Sequence, residues 1–218
     1  MIRELNEVVL VSACRTPIGD FGGSLQTVRA NQLSQIAGAE AIRRAGIDPK
    51  QIDELMMGMC LHHGNGSLPA RFVAMQLGLE PTSTASQVNQ NCAASMRALE
   101  IAAMGLAMGK NEIALVIGTE SMSNIPYISQ SGRWGARMGD VKLQDPMLSD
   151  GLVCGLAESH MGGTAENIAE LYGISREECD QLALLSHQRA VRAVDEGRFD
   201  REIVPVKVKK GKKEFLFE

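Results

Sequence analysis

Cys92 is the residue with the clearest capacity for covalent chemistry. It stands in Val88-Asn89-Gln90-Asn91-Cys92-Ala93-Ala94-Ser95, between a short strand pattern at 85–88 and helix-compatible residues from Ala93 to Met108. The spacing therefore places a thiol where a strand turns into a helix. The first backbone N–H groups of a helix lack intrahelical partners, and the helix dipole adds partial positive charge there. A thiolate at such a point is stabilised and becomes a better nucleophile near neutral pH. The same N–H groups can hold the oxyanion formed when sulfur attacks a carbonyl. The following helix is rich in Ala93, Ala94, Ala98, Ala102, Ala103, Gly105 and Ala107. Small residues all round it predict burial on nearly all sides. Context alone leaves a second reading open, a structural cysteine packed at a buried helix start, because free cysteine is among the most buried residue types.

The elements that must position Cys92 follow from the apolar patterning. Val8-Val9-Leu10-Val11-Ser12-Ala13 reads as a buried strand. Thr27 to Ala45 reads as a helix stopped by Gly46. Asp53 to Met59 is a second strand candidate. Ser67 is expected to cap a short helix that starts at Leu68-Pro69 and ends before Gly78. Glu112 to Gly118 is a strong strand. Alternating strands and helices predict an α/β layer fold with a largely parallel sheet. After Glu120 the texture changes, and residues 120–163 hold few regular periods. A loop region that long is usually functional. Helices are expected from about Thr164 to Gly173 and from the capping box Ser175-Arg176-Glu177-Glu178 to Glu196. Pro205 to Val208 and Phe215 to Phe217 read as the two sides of a hairpin turned at Gly211. This reading divides the chain into an α/β core over 1–119, which carries the nucleophile, and a loop domain over 120–218. The pattern reaches Glu218 inside the returning strand, so further chain or a partner chain is expected to complete it.

Composition narrows the function classes. In 218 residues, 44% are hydrophobic and 22% charged, so a packed core is expected and disorder is not. A net charge of −4 lends no support to nucleic-acid binding by the whole molecule. Five scattered cysteines without a CxxC spacing point to a reducing compartment. No apolar run has the length of a membrane span, and Met1 to Glu7 does not open a signal peptide. The protein is thus expected to be soluble and cytoplasmic, with no membrane association. His62 and His63 are adjacent, so their side chains are expected to diverge; with Cys60 nearby the spacing is poor for zinc, and no metal is expected. Cys14, Cys60, Cys154 and Cys179 are read as packing residues. Lys207, Lys209, Lys210, Lys212 and Lys213 form a basic cluster at a turn, read as solvated, with attraction for phosphates as the alternative.

With these residues assembled, the chain resembles the thiolase family, the acetyl-CoA acetyltransferases and 3-ketoacyl-CoA thiolases. The resemblance rests on Arg15-Thr16-Pro17-Ile18-Gly19 with Phe21-Gly22-Gly23, on Gly58 to Arg71, and on Gly118-Thr119-Glu120-Ser121-Met122-Ser123-Asn124-Ile125-Pro126-Tyr127. It continues through Asp150-Gly151-Leu152, His160-Met161-Gly162, Thr164-Ala165-Glu166-Asn167 and Ser186 to Ala190. Several motifs in the right order are far more specific than one. The resemblance implies a thiolase-like layered α/β fold, represented by its N-terminal half and most of the loop domain. It makes Cys92 the acyl-accepting nucleophile and places Leu152, His160 and Met161 at the coenzyme A pocket. Acetyl-CoA and other acyl-CoA thioesters are the implied substrates, with no further cofactor. A homodimer or tetramer, or a complementary C-terminal chain, is the implied assembly. The family's activating His, its second Cys and further oxyanion groups lie in a C-terminal half. Two departures stand out: Cys92-Ala93-Ala94-Ser95 replaces the usual Cys-Ala-Ser-Gly, and Leu68 stands where Asn is usual. Trp134 falls near the family's tetramerisation arm, as an interface anchor or a local packing residue. The signature around Glu120 to Asn124 argues against a ketoacyl synthase. The alternative from another class is a non-catalytic subunit that serves assembly.

Overall fold

The structure is a computed structural model that describes residues 5–211 and 213–218. Met1 to Glu4, on which part of the signal-peptide reading falls, and Lys212 of the basic cluster lie outside the described residues. The chain forms two compact units. One comprises the residues up to Pro126 together with Ile203–Glu218, and the other is Tyr127–Glu202. Residues 120–126 and the closing hairpin therefore group with the core that carries Cys92, where the sequence reading has a single break after Thr119.

The first unit is built on a parallel three-stranded sheet. Its strands are β1 (Glu54–Gly58), β2 (Thr84–Val88) and β3 (Ala114–Gly118), in the order β2-β1-β3. The helices are α1 (Ala30–Ala45), α2 (Pro69–Gln76) and α3 (Ala94–Ala107). Alternate residues of a strand face opposite sides, and β1 uses this fully. Leu55 and Met57 join Ile52, Met59, Ala70, Val73, Ala74 and Ile117 in the main core, shared with α1 and α2. Met56, between them, faces the other way and packs with Ala98 and Ala102 of α3. Each fully buried Leu, Ile, Val or Met among them contributes roughly 1.5–3 kcal/mol by leaving water. The result is three layers, with Cys92 at the carboxyl end of the sheet.

Polar side chains set the ends of these elements. Asp53 Oδ2 accepts the N–H groups of Glu112 at 2.8 Å and Ile113 at 3.0 Å. Those amides are thereby withdrawn from the ladder, and β3 begins at Ala114, not Glu112. Arg29 is extended and its N–H donates to Gln32 Oε1 at 2.9 Å, so α1 starts at Ala30, three residues later than Thr27. Gly46 ends it in the left-handed region with φ 68. Leu68, not Ser67, occupies the N-cap of α2, without a side-chain cap. Pro69 supplies the first helical residue with its fixed φ and lacks an N–H that would need capping.

Two further expectations are corrected. Residues 8–13 form no strand among the described residues, and Val9, Leu10 and Val11 are largely exposed. An apolar run becomes a buried strand only when an edge is available to pair with it, and no described strand takes that place. The helix α3 buries a single stripe, Ala94, Ala98 and Ala102, whereas Met96, Met104 and Met108 are exposed.

In the second unit, Met147–Leu152 forms a π-helical turn that leads into β4 (Val153–Cys154), paired antiparallel with β5 (Ser159–His160). The helices α4 (Met161–Tyr172) and α5 (Arg176–Asp195) follow. The expected capping box is present: Ser175 Oγ accepts Glu178 N–H at 3.2 Å, and Glu178 Oε2 accepts Ser175 N–H at 2.8 Å. The first unit is then completed by β6 (Val206–Lys210) and β7 (Lys213–Phe217), an antiparallel hairpin turned at Gly211, φ 62. Val206 and Val208 point inward against Leu25, Val28 and Leu33. Lys207 points out and pairs with Glu214 at 2.6 Å.

Candidate active site

Cys92 is exposed and precedes Ala93, the N-cap of α3. The turn that presents it is tightly specified. Asn91 is left-handed, φ 48, a conformation that Asn tolerates better than most residues. Its N–H donates to Asn89 Oδ1 at 2.8 Å, and its carbonyl accepts Ala94 N–H at 2.9 Å. Gln90 O accepts Ala93 N–H at 3.1 Å. No side chain caps α3; the Ala93 and Ala94 N–H groups are used within the turn, and the later first-turn amides lack a side-chain acceptor.

Two glycines let this helix end sit on the sheet. A Cβ built on Gly58 would lie 2.5 Å from the Ala94 carbonyl and from Ser95 N. One built on Gly118 would lie 2.6 Å from Ser95 Cβ. Both glycines end their strands, so the carboxyl ends of β1 and β3 form a platform under the first turn of α3.

Beyond that platform stands Glu120. Its Oε2 accepts Cys60 N–H at 2.8 Å, and Leu61 N–H lies 3.3 Å from both carboxylate oxygens. Burial pushes the Glu120 carboxyl up, while these two amides and the Cys60 thiol pull it back. Cys60 is pushed up to about 11, first by burial, then by the charges of Glu120 and Cys92 and by its hydrogen bond to Glu120. Of the two neighbouring sulfurs, Cys60 is therefore held as a thiol and Cys92 is the one open to solvent.

The segment after β3 ties this end of the sheet to the start of α1. Thr119 Oγ1 donates to Ala30 O at 3.1 Å, Ser121 Oγ to Val28 O at 3.0 Å, and Asn124 Nδ2 to Gln26 O at 3.0 Å. Ser123 Oγ accepts Gly22 N–H at 2.9 Å. A motif legible in sequence only as a family mark thus has a local structural task.

In the second unit, the β4–β5 register sets Val153 opposite His160. Leu152, His160 and Met161 are thereby neighbours at one end of that hairpin. His160 also caps α4: its Nδ1 accepts Gly162 N–H at 3.0 Å. This starts α4 three residues before Thr164, and it assigns the neutral ring's proton to Nε2. Met161 is half-exposed and Leu152 partly buried.

The other cysteines divide by environment. Cys14 Sγ donates to Ala37 O at 3.2 Å, and burial raises its pKa. Cys154 is lowered by the N–H groups of Ala157 and Leu156. Cys179 is exposed on α5 and so is not a packing residue. The rings of His62 and His63 stack, centroids 5.2 Å apart, and do not diverge. No cluster of His, Cys, Asp and Glu suited to a metal ion occurs among the described residues. Trp134 is 84% exposed, which rules out local packing as its role in this chain.

The family model described as "Thiolase, N-terminal domain" matches residues 8–218. The chain belongs to the thiolase family. A probable acetyl-CoA acyltransferase of Staphylococcus aureus strain COL is 43% identical over 210 residues, which cover 96% of this chain and 53% of the relative. An acetyl-CoA acetyltransferase of Syntrophomonas wolfei is 44% identical over 214 residues, covering 97% and 54%. The solved acetyl-CoA acetyltransferase structure from Syntrophomonas wolfei superposes with a TM-score of 0.94 at 60% identity, covering 98% of this chain and 53% of that one. That of the Bacillus anthracis acetyl-CoA acetyltransferase gives 0.93 at 36%, covering 98% and 54%. The thiolase-like α/β fold is thereby established, and the chain spans about half the length of the curated relatives it matches.

Sequence reasoning named Cys92 but missed the bonds that Glu120 and Asn89 make to Cys60 and to Asn91 next to the nucleophile. Glu120 is 60 residues from Cys60 in sequence, and no periodic pattern reports such a pairing. The signal available in sequence was an acid inside the stretch Gly118 to Tyr127 that resembles the family signature.

Proposed function

We propose that this protein transfers acyl groups between coenzyme A thioesters, with Cys92 as the acyl carrier. The observation that carries the reading is the exposed thiol one residue before an uncapped helix N-cap, in a chain of the thiolase family. The Cys92 thiolate attacks the thioester carbonyl, the oxyanion collapses, and the coenzyme A thiolate leaves and takes up a proton. In the acetyltransferase direction the α-carbon of a second acetyl-CoA, having lost a proton to a base, then attacks the acyl-cysteine. In the cleavage direction Cys92 instead attacks the 3-keto carbon of a 3-ketoacyl-CoA, the C2–C3 bond breaks, and acetyl-CoA leaves as its carbanion and takes up a proton. The thiol of coenzyme A, losing its proton, then attacks the acyl-cysteine. Either attack returns the Cys92 thiolate. The N–H groups of the first turn of α3 are suited to the oxyanion.

A nucleophile of this kind needs a base within reach. The reading assigns the activating His and the second Cys to the part of the relatives outside the matched half. Residues 1–218 alone are then expected to be inactive. Leu152, His160 and Met161 are assigned to the pantetheine arm of coenzyme A, which needs an apolar lining with a few polar groups. Coenzyme A thioesters are substrates here, and no other cofactor is invoked. The exposed apolar surface of Val9, Leu10, Val11, Met96 and Met104 favours assembly, as a homodimer or tetramer or with a complementary C-terminal chain. Among the described residues, no helix is long and apolar enough to cross a membrane. A cytoplasmic role in acyl-CoA and lipid metabolism completes the proposal.

The same exposed surface favours a second reading, a non-catalytic subunit that serves assembly. Incubation with radiolabelled acetyl-CoA, followed by peptide mapping, separates the two. Label on the Cys92 peptide, lost in Cys92→Ala, is expected. No label on the intact protein, with or without a C-terminal partner, overturns the acyl-transfer reading. Full thiolysis by purified residues 1–218 would refute the requirement for further sequence.

A further inference from the structure

The turn that presents Cys92 holds Asn91 in a left-handed conformation, which costs about 1 kcal/mol for a residue other than glycine. Something must hold it, and the bonds can be followed outward. Asn91 N–H donates to Asn89 Oδ1 at 2.8 Å. The other end of the same amide, Asn89 Nδ2, donates to Cys60 O at 2.9 Å. The backbone of Cys60 is in turn held from its other side, where its N–H and that of Leu61 donate to the Glu120 carboxylate. The Cys60 thiol stays protonated at neutral pH, since burial first and then the charge of Glu120 push it up to about 11. Alongside, Met59 N–H donates to Val88 O at 3.2 Å and Thr119 N–H to Gly58 O at 3.1 Å, so all three strands are still in contact as the chain of bonds begins.

We propose that Glu120 is a positioning residue for Cys92, acting through the backbone of Cys60 and the side chain of Asn89 to hold the Asn91 turn. Glu120 touches neither the thiol of Cys92 nor the place of the reacting carbonyl. It anchors the Cys60–Leu61 segment, that segment orients the Asn89 amide, and the amide holds the left-handed residue next to the nucleophile. The chain of bonds links the ends of β1, β2 and β3 to one atom position on α3. The proposal rests on Cys92 being the acyl-accepting residue.

The test measures the rate at which radiolabelled acetyl-CoA acylates Cys92 in the intact protein, with kcat and KM for acetyl-CoA beside it. Glu120→Gln leaves a side chain of the same size but turns an amide donor toward two N–H donors. Asn89→Ala cuts the middle of the chain at an exposed residue. Both are expected to slow acylation by about tenfold, since a displacement under 1 Å costs up to a hundredfold, with kcat falling and KM held. The double variant is expected to be no slower than Asn89→Ala alone. Acylation of Glu120→Gln at the wild-type rate overturns the proposal. So does a double variant whose loss is the product of the two single losses, because Glu120 then acts elsewhere. Asn89→Ala at the wild-type rate overturns it as well, whether or not Glu120→Gln folds. If the wild-type protein takes no label at Cys92, the acyl-transfer reading has failed first, and the positioning role goes with it.

Discussion

Gly118, the last residue of β3, lies directly against Ser95 in the first turn of α3. A Cβ added at Gly118 would be 2.6 Å from Ser95 Cβ and 3.6 Å from Ser95 Cα. Ser95 stands where the thiolase family usually has glycine, so the close approach of helix to sheet depends here on the glycine of the strand. Gly118→Ala should destabilise the fold by about 1–3 kcal/mol through overpacking. Adding Ser95→Gly should restore much of the loss, because the two side chains then no longer compete for one space. Urea titration of the two single variants and the double variant checks the coupling.

Gly58 makes the harsher prediction. Its neighbours are the backbone atoms of Ala94 and Ser95, which cannot rotate away. Gly58→Ala should therefore cost more than Gly118→Ala, and no substitution at Ser95 should rescue it. Paired denaturation curves for Gly58→Ala with and without Ser95→Gly provide the comparison.

Cys60 and Cys92 should differ sharply toward alkylating reagents. A thiol at about 11 holds roughly a hundredfold less thiolate at pH 8 than one of ordinary pKa. Iodoacetamide at pH 8, followed by peptide mass mapping, should modify Cys60 that much more slowly than a free small-molecule thiol. Modification of Cys60 at the rate of the free thiol would contradict the environment described.

Glu40 predicts a pH window for stability. Hydrogen bonds from Arg43 and then Arg44, at 2.7 Å, hold its carboxyl at about 2, below its ordinary value of 4.5. A carboxyl depressed by folding contributes stability that is present above its unfolded value and lost as pH falls through the folded one. Wild type should be more stable than Glu40→Gln at pH 6. The difference should shrink from pH 4.5 downward and be lost only below about pH 2. Denaturant melts across that range measure it.

His160 has two separable tasks, the cap of α4 and the proposed contact with coenzyme A. His160→Ala should lose both, with about 1 kcal/mol from the cap. His160→Asn keeps a cap acceptor and removes the ring. Stability retained in His160→Asn together with weakened binding of coenzyme A, by calorimetry, would assign the ring to the ligand. Unchanged binding in both variants would leave His160 with the cap alone.

Much of the layered fold was legible in advance because it follows from local rules. The runs 55–57 and 114–117 are apolar and short enough to read as strands, and Gly46 and Ser175 mark helix ends by backbone geometry and capping. Cys92 could be singled out for the same reason, since its turn is a matter of adjacent residues. The run at 8–13 shows the limit of that reasoning. Its composition favours a strand, yet no described edge pairs with it and it is exposed.

Amino-acid order alone determined the strand and helix periods, the family motifs and the identity of the nucleophile candidate, because each depends on residues a few positions apart. Tertiary structure decided what surrounds that sulfur. Glu120 meets Cys60 across 60 positions, Asn89 meets Cys60 across 29, and Gly58 and Gly118 make room for Ala94 and Ser95. Such pairings form only when parallel strands, joined by helices, bring their carboxyl ends together, and the register of a sheet is set by packing over its whole surface.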